Sequence, residues 1–251
     1  MPLLAADEPS PVRVLRPGGS SDFLLTADHA GNAIPRALGD LGVSTAERQR
    51  HIAWDIGIAG VTEHLSGLLD ATAALQTYSR LAIDCNRAPG HPTSIPTISE
   101  ETAIPGNEEL SAEAREARRA AIFDPYHAAI AGLLAERAGR RTVLIAMHSF
   151  TPVFKGEPRA VEIGVLYHDD RRLAAVMLDL LRAEGDLTVG DNQPYAITDT
   201  SDYTVPVHAE GRGLDHVELE IRQDLIADAA GQRAWAERVA RLLTAARPLI
   251  E

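Results

Sequence analysis

Short apolar segments that alternate with helix-like stretches constrain the fold of this chain most. The segments at 23–26, 75–83, 142–147, 161–167 and 216–221 have the length and composition of buried strands. Helix-like patterns cover 44–69, 111–137, 171–184 and 232–246, although Pro125 should break or restart the second of them. Strands and helices in this alternation predict a single α/β domain with a mostly parallel or mixed central sheet and helices on both faces.

The predicted domain covers residues 22–251. Residues 1–21 are rich in proline and include a Gly-Gly-Ser-Ser stretch, which predicts a loosely held N-terminal arm. Residues 88–107 contain four prolines and two glycines and are expected to form a long functional loop.

The charge balance limits the possible partners. With 36 acidic and 24 basic residues the net charge is −12, which argues against nucleic acids and anionic membranes because both require concentrated positive charge. No apolar run reaches the ~20 residues of a membrane span, and no secretory leader is evident, so we expect a cytoplasmic protein. The single cysteine, Cys85, excludes an intrachain disulfide and a cysteine-cluster metal site.

Polar clusters lie at the ends of three predicted strands, and two acids lie within a fourth. In open α/β sheets, ligands bind beyond the carboxyl ends of the strands. Two histidines at such ends could share a zinc ion, with an oxygen donor such as Asn32, Asp28 or Asp55 as third ligand. The clusters are Asp28-His29 with Asn32, Asp84 with Asn86-Arg87, His148-Ser149, and the pair Glu218 and Glu220.

Each of these residues also has an ordinary structural explanation. A single histidine is more often a surface or hydrogen-bonded residue than a metal ligand. Period-two alternation places Glu218 and Glu220 opposite Val217 and Leu219, so the two acids face either solvent or a cavity. The chain has no phosphate-binding loop, dinucleotide fingerprint or Gly-x-Ser-x-Gly elbow.

Seven short motifs, taken in order, resemble those of the N-formylglutamate amidohydrolase family, over about residues 24–226. That family is distantly similar to zinc carboxypeptidases and aspartoacylase, so the resemblance implies a zinc-exopeptidase-like fold. The motifs are Asp28-His29-Ala30-Gly31-Asn32-Ala33-Ile34-Pro35, Trp54-Asp55-Ile56-Gly57, Tyr78-Ser79-Arg80 continuing to Asp84-Cys85-Asn86-Arg87, Ile104-Pro105-Gly106-Asn107, Pro125-Tyr126-His127, His148-Ser149-Phe150, and Glu220-Ile221-Arg222-Gln223-Asp224-Leu225.

The resemblance implies a site for Zn²⁺ or another divalent metal. His29 and His148 match two histidine ligands of the relatives, whereas Asn32 occupies the position of their glutamate ligand. A neutral amide binds zinc less strongly than a carboxylate does. The third ligand is therefore either Asn32 or a nearby acid, for which Asp55 is the first choice.

The resemblance also assigns roles around the metal. Glu220 matches the glutamate that activates water, with Glu218 as the alternative. The pair Asn86-Arg87 matches residues that bind the substrate carboxylate and the developing oxyanion, and Arg87 is thereby a catalytic candidate. Further candidates for substrate contact are Arg80, Arg222, His208 and Tyr203.

Together these inferences predict a metal-dependent amidohydrolase that cleaves the N-formyl or N-acyl amide of an acidic amino acid. The expected partner is a small N-acyl amino acid, with no nucleic acid or membrane partner. One alternative is a carboxypeptidase-like or deacylase activity on other N-acyl amino acids or small peptides. The other is a non-catalytic carboxylate-binding protein of the same fold.

Overall fold

The architecture is a seven-stranded mixed sheet flanked by helices, seen in a computed structural model that describes residues 2–198 and 202–250. The strands are β1 (Val12–Leu15), β2 (Phe23–Ala27), β3 (Thr72–Gln76), β4 (Ile98–Ser99), β5 (Thr102–Ala103), β6 (Val143–Phe150), β7 (Val153–Phe154), β8 (Glu157–Pro158), β9 (Ile163–Leu166), β10 (Val189–Asp191) and β11 (Asp215–Arg222). The α-helices are α1 (Thr45–Arg48), α2 (Ile58–Leu69), α3 (Ala112–Arg118), α4 (Asp124–Glu136), α5 (Arg172–Glu184) and α6 (Ala229–Ala246).

The central sheet has the order β1-β3-β2-β6-β11-β9-β10. Its inner strands β3, β2, β6 and β11 are parallel, while β1 is antiparallel to β3 and β9 is antiparallel to β11. The short hairpins β4–β5 and β7–β8 lie outside this sheet. The predicted mixed α/β sheet is confirmed, and its parallel centre brings the carboxyl ends of β2, β6 and β11 to one edge.

Helices cover both faces of the sheet, as predicted. Alternate residues such as Leu25, Ile145 and Val217 belong to the core that includes residues of α2, α5 and α6. The intervening residue Leu24 packs in a second core with residues of α4. This alternation follows from the period-two direction of side chains along a strand. Among the helices of the described residues, none combines the length and apolarity needed to cross a membrane.

The stretch 44–69, predicted as one helix, is divided into α1 and α2. Gly57 precedes α2 with a φ of 84°, and a Cβ at that position would lie 2.2 Å from the carbonyl oxygen of Ile226. Only glycine fits such a backbone without strain. The resulting loop carries Asp55. The other long helical pattern stays helical from residue 112 to residue 136, so the expectation that Pro125 breaks or restarts it is wrong. A π-helical turn over Arg119–Phe123 precedes α4, and Pro125 lies in the first turn of α4.

Strand boundaries also differ from the sequence expectation. Of the segment 75–83, predicted as a strand, only residues 75 and 76 belong to β3, which begins at Thr72. Strand β6 continues to Phe150, so His148 lies inside the strand, in register with Glu220 of β11. Within residues 1–21, predicted as a loosely held arm, Val12–Leu15 forms strand β1. Its pairing with β3 covers a sheet edge that would otherwise expose unpaired backbone groups.

Candidate active site

Three buried side chains from separate parts of the chain meet at the carboxyl ends of β2 and β6. Asp55 Oδ2 lies 3.6 Å from His29 Nδ1 and 3.1 Å from His148 Nδ1. One ligand atom from each residue lies within 4.8 Å of the others. Tetrahedral zinc with ligands at about 2.0–2.1 Å requires ligand atoms roughly 3.3 Å apart. The two distances from Asp55 are close to this spacing, so the group could hold a divalent metal.

Backbone contacts hold this group in place. The backbone N–H of Asp55 donates to the carbonyl oxygen of His29 at 2.9 Å, and the backbone N–H of Ser149 donates to Asp55 Oδ2 at 3.1 Å. Gly31 lets the chain after His29 approach the backbone of Thr77, since a Cβ there would lie 2.0 Å from the Thr77 carbonyl oxygen. The loop that carries Asp55 is thus fixed to the strand ends that carry the histidines.

Each histidine directs its other ring nitrogen to a second carboxylate. His29 Nε2 lies 2.7 Å from Asp84 Oδ1, and His148 Nε2 lies 3.2 Å from Asp28 Oδ2. Asp28 is itself held by the Thr204 hydroxyl, which donates to its Oδ1 at 2.7 Å. Metal-binding histidines ordinarily have such a partner, because it fixes the tautomer and orients the ring. The buried His29 Nδ1 has no hydrogen-bond partner among the described residues, as expected of an atom that serves as a metal ligand. In His148 it is Nε2 that makes no hydrogen bond within the described part of the chain, despite its contact with Asp28, and Nδ1 lies 3.1 Å from Asp55 Oδ2.

The electrostatics of the group also favour a cation. Burial alone would lower the pKa of His148, but Glu218, Asp28 and Asp55 outweigh it and raise that pKa well above its ordinary value. Burial raises the pKa of Glu218 and of Glu220 to about 8. Five buried acids surround the site, and a bound cation would stabilise this excess of negative charge. The five acids are Asp28, Asp55, Asp84, Glu218 and Glu220.

Both predicted base candidates reach the cavity, but they approach His148 differently. Glu218 Oε2 lies 3.9 Å from His148 Nε2, the nitrogen that faces Asp28. Glu220 is opposite His148 in the register of β6 and β11, and Asp55 is among the charges that raise its pKa. Glu220 therefore neighbours His148 across the two strands and lies close enough to Asp55 for their charges to interact.

The group opens into a cavity of about 530 Å³. Phe150, Phe154, Leu166 and Tyr195 form an apolar part of its wall. The structure brings to this cavity most of the side chains predicted from the sequence, namely His29, Asp55, Arg80, Asn86, Arg87, His148, Glu218 and Glu220.

The predicted substrate-binding side chains in the cavity already have partners. Arg80 donates to Asp84 Oδ2 from Nε at 3.0 Å and from Nη2 at 2.7 Å. Arg87 Nη1 lies 3.5 Å from Asp202 Oδ1. The Asn86 amide accepts the backbone N–H groups of residues 203 and 204 and donates to Asp202 Oδ1, so it braces this segment against the cavity wall.

Asn32 and Arg222 do not line the described cavity. The Asn32 amide nitrogen donates to the backbone carbonyl of Arg48 at 2.7 Å, while its buried Oδ1 has no hydrogen-bond partner among the described residues. Arg222 donates from Nε to Asp224 Oδ1 at 2.8 Å, because this acid lies two residues further along the turn after β11. The donor set therefore favours Asp55 over Asn32 as third ligand, and the structure does not bring Arg222 to the site.

His208 and Tyr203 also lie outside the described cavity lining. His208 Nε2 is 2.9 Å from His127 Nδ1, and the two rings stack with centroids 5.2 Å apart. The Tyr203 ring packs against His127 and Phe123 with centroids 4.6 and 5.0 Å away. Aromatic packing explains the positions of both residues without substrate contact.

The sequence reasoning missed the contact between Asp84 and His29, the position of Tyr195 in the cavity wall, and the packing of Arg159 against Tyr195. Asp84 belongs to a recognised polar cluster, but nothing in the sequence pairs it with a histidine 55 positions away. Arg159 follows a short hairpin and has no motif around it. The only sequence signal for Arg159 was that aromatic residues lie near an arginine to which no role had been given.

Comparison with known proteins adds independent information. The N-formylglutamate amidohydrolase family model matches residues 21–227. The chain is similar to a gene product of Agrobacterium tumefaciens, with 41% identity over 98% of each chain and a TM-score of 0.94. Among curated proteins, none matches significantly.

Two more distant structures share the fold. The N-formylglutamate amidohydrolase of Ralstonia eutropha JMP134 has a TM-score of 0.69 at 19% identity, with 96% of this chain and 98% of that chain covered. A bacteriophage poly-gamma-glutamate hydrolase has a TM-score of 0.50 at 10% identity, with 96% of this chain and 91% of that chain covered. Because the family model spans most of the sequence, the chain belongs to the N-formylglutamate amidohydrolase family.

Proposed function

We propose that this protein is a hydrolase dependent on zinc or another divalent metal that cleaves the N-formyl or N-acyl amide of an acidic amino acid. One observation carries the proposal: two histidines and an aspartate converge within ligand distance, and Glu220 is in register with one of those histidines, His148. Family membership supports amide hydrolysis as the reaction.

The metal would be held by Nδ1 of His29, the carboxylate of Asp55 and Nδ1 of His148. Both Nδ1 atoms lie near the same oxygen of Asp55, and both Nε2 atoms lie near other carboxylates. When bound, a divalent ion at such a site polarises an amide carbonyl and lowers the pKa of water.

Glu220 would act first as base and then as acid. It accepts a proton from the attacking water and later delivers that proton to the leaving nitrogen. Burial raises the pKa of Glu220 to about 8 without a metal, and a bound cation would lower it towards the ionised form that a base requires. Water adds to the acyl carbon and the C–N bond breaks, which releases a carboxylic acid and a free amino acid.

Arg87 would stabilise negative charge on the substrate or on the oxygen of the tetrahedral intermediate. Its guanidinium lies at the cavity wall, and the ion pair with Asp202 fixes its position. Arg80 would act mainly by holding Asp84, which orients His29. Asn86 would contribute by bracing the same wall.

A second candidate is hydrolysis of other N-acyl amino acids or small peptides. The cavity of about 530 Å³ lies in the range of ~300–1,000 Å³ that is usual for drug-sized ligands, and it therefore has room for an acyl group larger than formyl. A second cavity adjoins it and shares His51, Glu100 and Thr151 with it.

A substrate panel with metal analysis tests the proposal. Zinc-loaded protein would be assayed with N-formyl and N-acetyl derivatives of Glu, Asp, Gln and a neutral amino acid, with amine release as the readout. We expect about one metal ion per chain, and turnover that is fastest with an acidic N-acyl amino acid. Metal-loaded protein that binds these compounds but hydrolyses none would instead indicate a carboxylate-binding protein.

A further inference from the structure

The guanidinium of Arg159 lies among three aromatic rings at the wall of the cavity. Its central carbon is 4.7 Å from the ring centroid of Phe154, 4.8 Å from that of Tyr195 and 5.7 Å from that of Phe150. Arg159 Nη1 also donates a hydrogen bond of 2.8 Å to the Tyr195 hydroxyl. Stacking on several rings limits the rotamers of an arginine and holds its planar fork in one orientation.

The charge of Arg159 is not neutralised by a neighbouring acid. Among the described residues, no carboxylate oxygen lies within 4.0 Å of its side-chain nitrogens. The other two arginines at the cavity differ, because Arg80 is paired with Asp84 and Arg87 with Asp202. Arg159 is therefore the guanidinium near the cavity that can accept a new anionic partner without losing an existing ion pair.

The position of Arg159 couples it to the site. All three rings that surround it line the cavity. Its backbone N–H donates to the carbonyl oxygen of Pro152 at 2.8 Å, which fixes the end of the β7–β8 hairpin. Its charge also acts on Glu220, which places the guanidinium near the reacting groups.

Tyr195 supplies a second donor beside the guanidinium. Burial and the charge of Glu220 raise the pKa of its hydroxyl, so the group stays protonated at neutral pH. Because this oxygen accepts the hydrogen bond from Arg159, its own proton can be donated to a ligand. A guanidinium and a phenol side by side form a site for a carboxylate, which accepts both hydrogen bonds.

We propose that Arg159 and Tyr195 bind a carboxylate of the substrate and so select dicarboxylic N-acyl amino acids. This proposal rests on the proposed function and assigns its substrate recognition to residues other than Arg87 and Asn86. Arg87, which is paired with Asp202, keeps the role proposed for it above towards charge that develops during the reaction.

Two substitutions test the role of the guanidinium. Arg159→Met keeps an apolar stem against the rings, and Arg159→Lys keeps the charge but removes the planar fork. We expect KM for N-formylglutamate to rise roughly 10- to 100-fold in Arg159→Met, as for the loss of a charge-assisted hydrogen bond, and less in Arg159→Lys. Turnover at saturation should change little. Lys155→Met is the matched control, because it removes a cation stacked on Phe154 in the same hairpin but lining the second cavity.

Three substrates identify the carboxylate that is bound. N-formylglutamate would be compared with N-formylglutamine, which lacks the side-chain carboxylate, and with the α-amide of N-formylglutamate. The increase in KM caused by Arg159→Met should disappear for the substrate that lacks the bound carboxylate. An equal increase in KM for all three substrates would overturn the proposal.

A binding measurement separates this proposal from the proposed function. Calorimetric titration of metal-loaded protein with glutarate should show weaker binding for Arg159→Met than for wild type and Lys155→Met, with thermal unfolding as the check on folding. If wild type hydrolyses the panel but Arg159→Met and Arg159→Lys bind glutarate as wild type does, the carboxylate site is refuted and the hydrolase remains. If no substrate is hydrolysed and glutarate binding still depends on Arg159, the proposed function fails and the carboxylate site stands.

Discussion

His29 and Asp84 are joined by a contact of 2.7 Å between Nε2 and Oδ1, although 55 positions separate them in the sequence. The contact decides which nitrogen of His29 faces Asp55. Because Nε2 is engaged by the carboxylate, Nδ1 is directed to the point where Asp55 and His148 converge. Under the proposed function, the carboxylate of Asp84 would orient His29 as a metal ligand.

Asp84→Asn should weaken metal binding without abolishing it. The amide keeps the shape of the side chain but loses the charge that orients His29, and such changes typically lower metal affinity about 10- to 100-fold. Competition with a chelator of known affinity measures the effect. Asp186→Asn is the control, since it removes a carboxylate from a surface ion pair with Arg238. Unchanged affinity in Asp84→Asn would contradict the orienting role.

Asp55→Ala and His148→Ala should deplete bound metal, whereas Asn32→Ala should retain it. The first two changes each remove one of the three clustered ligand atoms, and the Asn32 amide instead contacts the Arg48 carbonyl. Metal content after purification and reloading, measured by atomic emission, distinguishes the variants. Loss of metal from Asn32→Ala together with full occupancy in Asp55→Ala would reverse the assignment of the third ligand.

Glu220→Gln should lower turnover at least ~100-fold while metal content stays normal, because the variant loses the group that transfers the proton. Glu218→Gln should lower it less, since Glu218 approaches the nitrogen of His148 that faces Asp28. Initial rates at saturating substrate, compared at equal metal loading, provide the measurement. The reverse order of the two losses would make Glu218 the base.

The contribution of His208 to stability should fall as pH is lowered from about 6.5 towards 4, opposite in sign to the contribution of Glu218 and Glu220, whose raised pKa values favour the folded state as pH falls. Burial and the neighbouring His127 lower the pKa of His208 to about 4, whereas an unfolded histidine has a pKa of about 6.5. Between these values the unfolded state binds more protons at this histidine, so its contribution to the free energy of unfolding increases with pH. The stabilisation is fully present above 6.5 and is lost as pH falls through 4, and it amounts to about 3 kcal/mol.

Denaturant unfolding across this pH range tests the role of His208. His208→Asn should reduce the slope of stability against pH, because the replacement does not titrate. His64→Gln, a change at a histidine on α2, should keep the wild-type slope. A slope in His208→Asn equal to that of wild type would show that other groups account for the pH dependence.

The sequence alone determined the fold class and the order in which the site residues occur along the chain. Apolar strands alternating with helices were sufficient to predict a mixed sheet covered on both faces, because side-chain periodicity reflects the direction in which each residue points. The ordered motifs identified the family. The polar clusters at strand ends supplied the residues that converge, since the carboxyl ends of parallel strands meet at one edge of the sheet.

Only the tertiary structure decided how these residues act together. Because side chains alternate along β11, Glu218 and Glu220 must lie on the same face of the strand. Segments that are distant in sequence cover this face and form a cavity there, so the face is not exposed to solvent. The same is true of Asp55, which reaches the histidines through a loop held by contacts with His29 and Ser149. Distances between side chains depend on how separate elements pack, and a local sequence pattern contains no information about that packing.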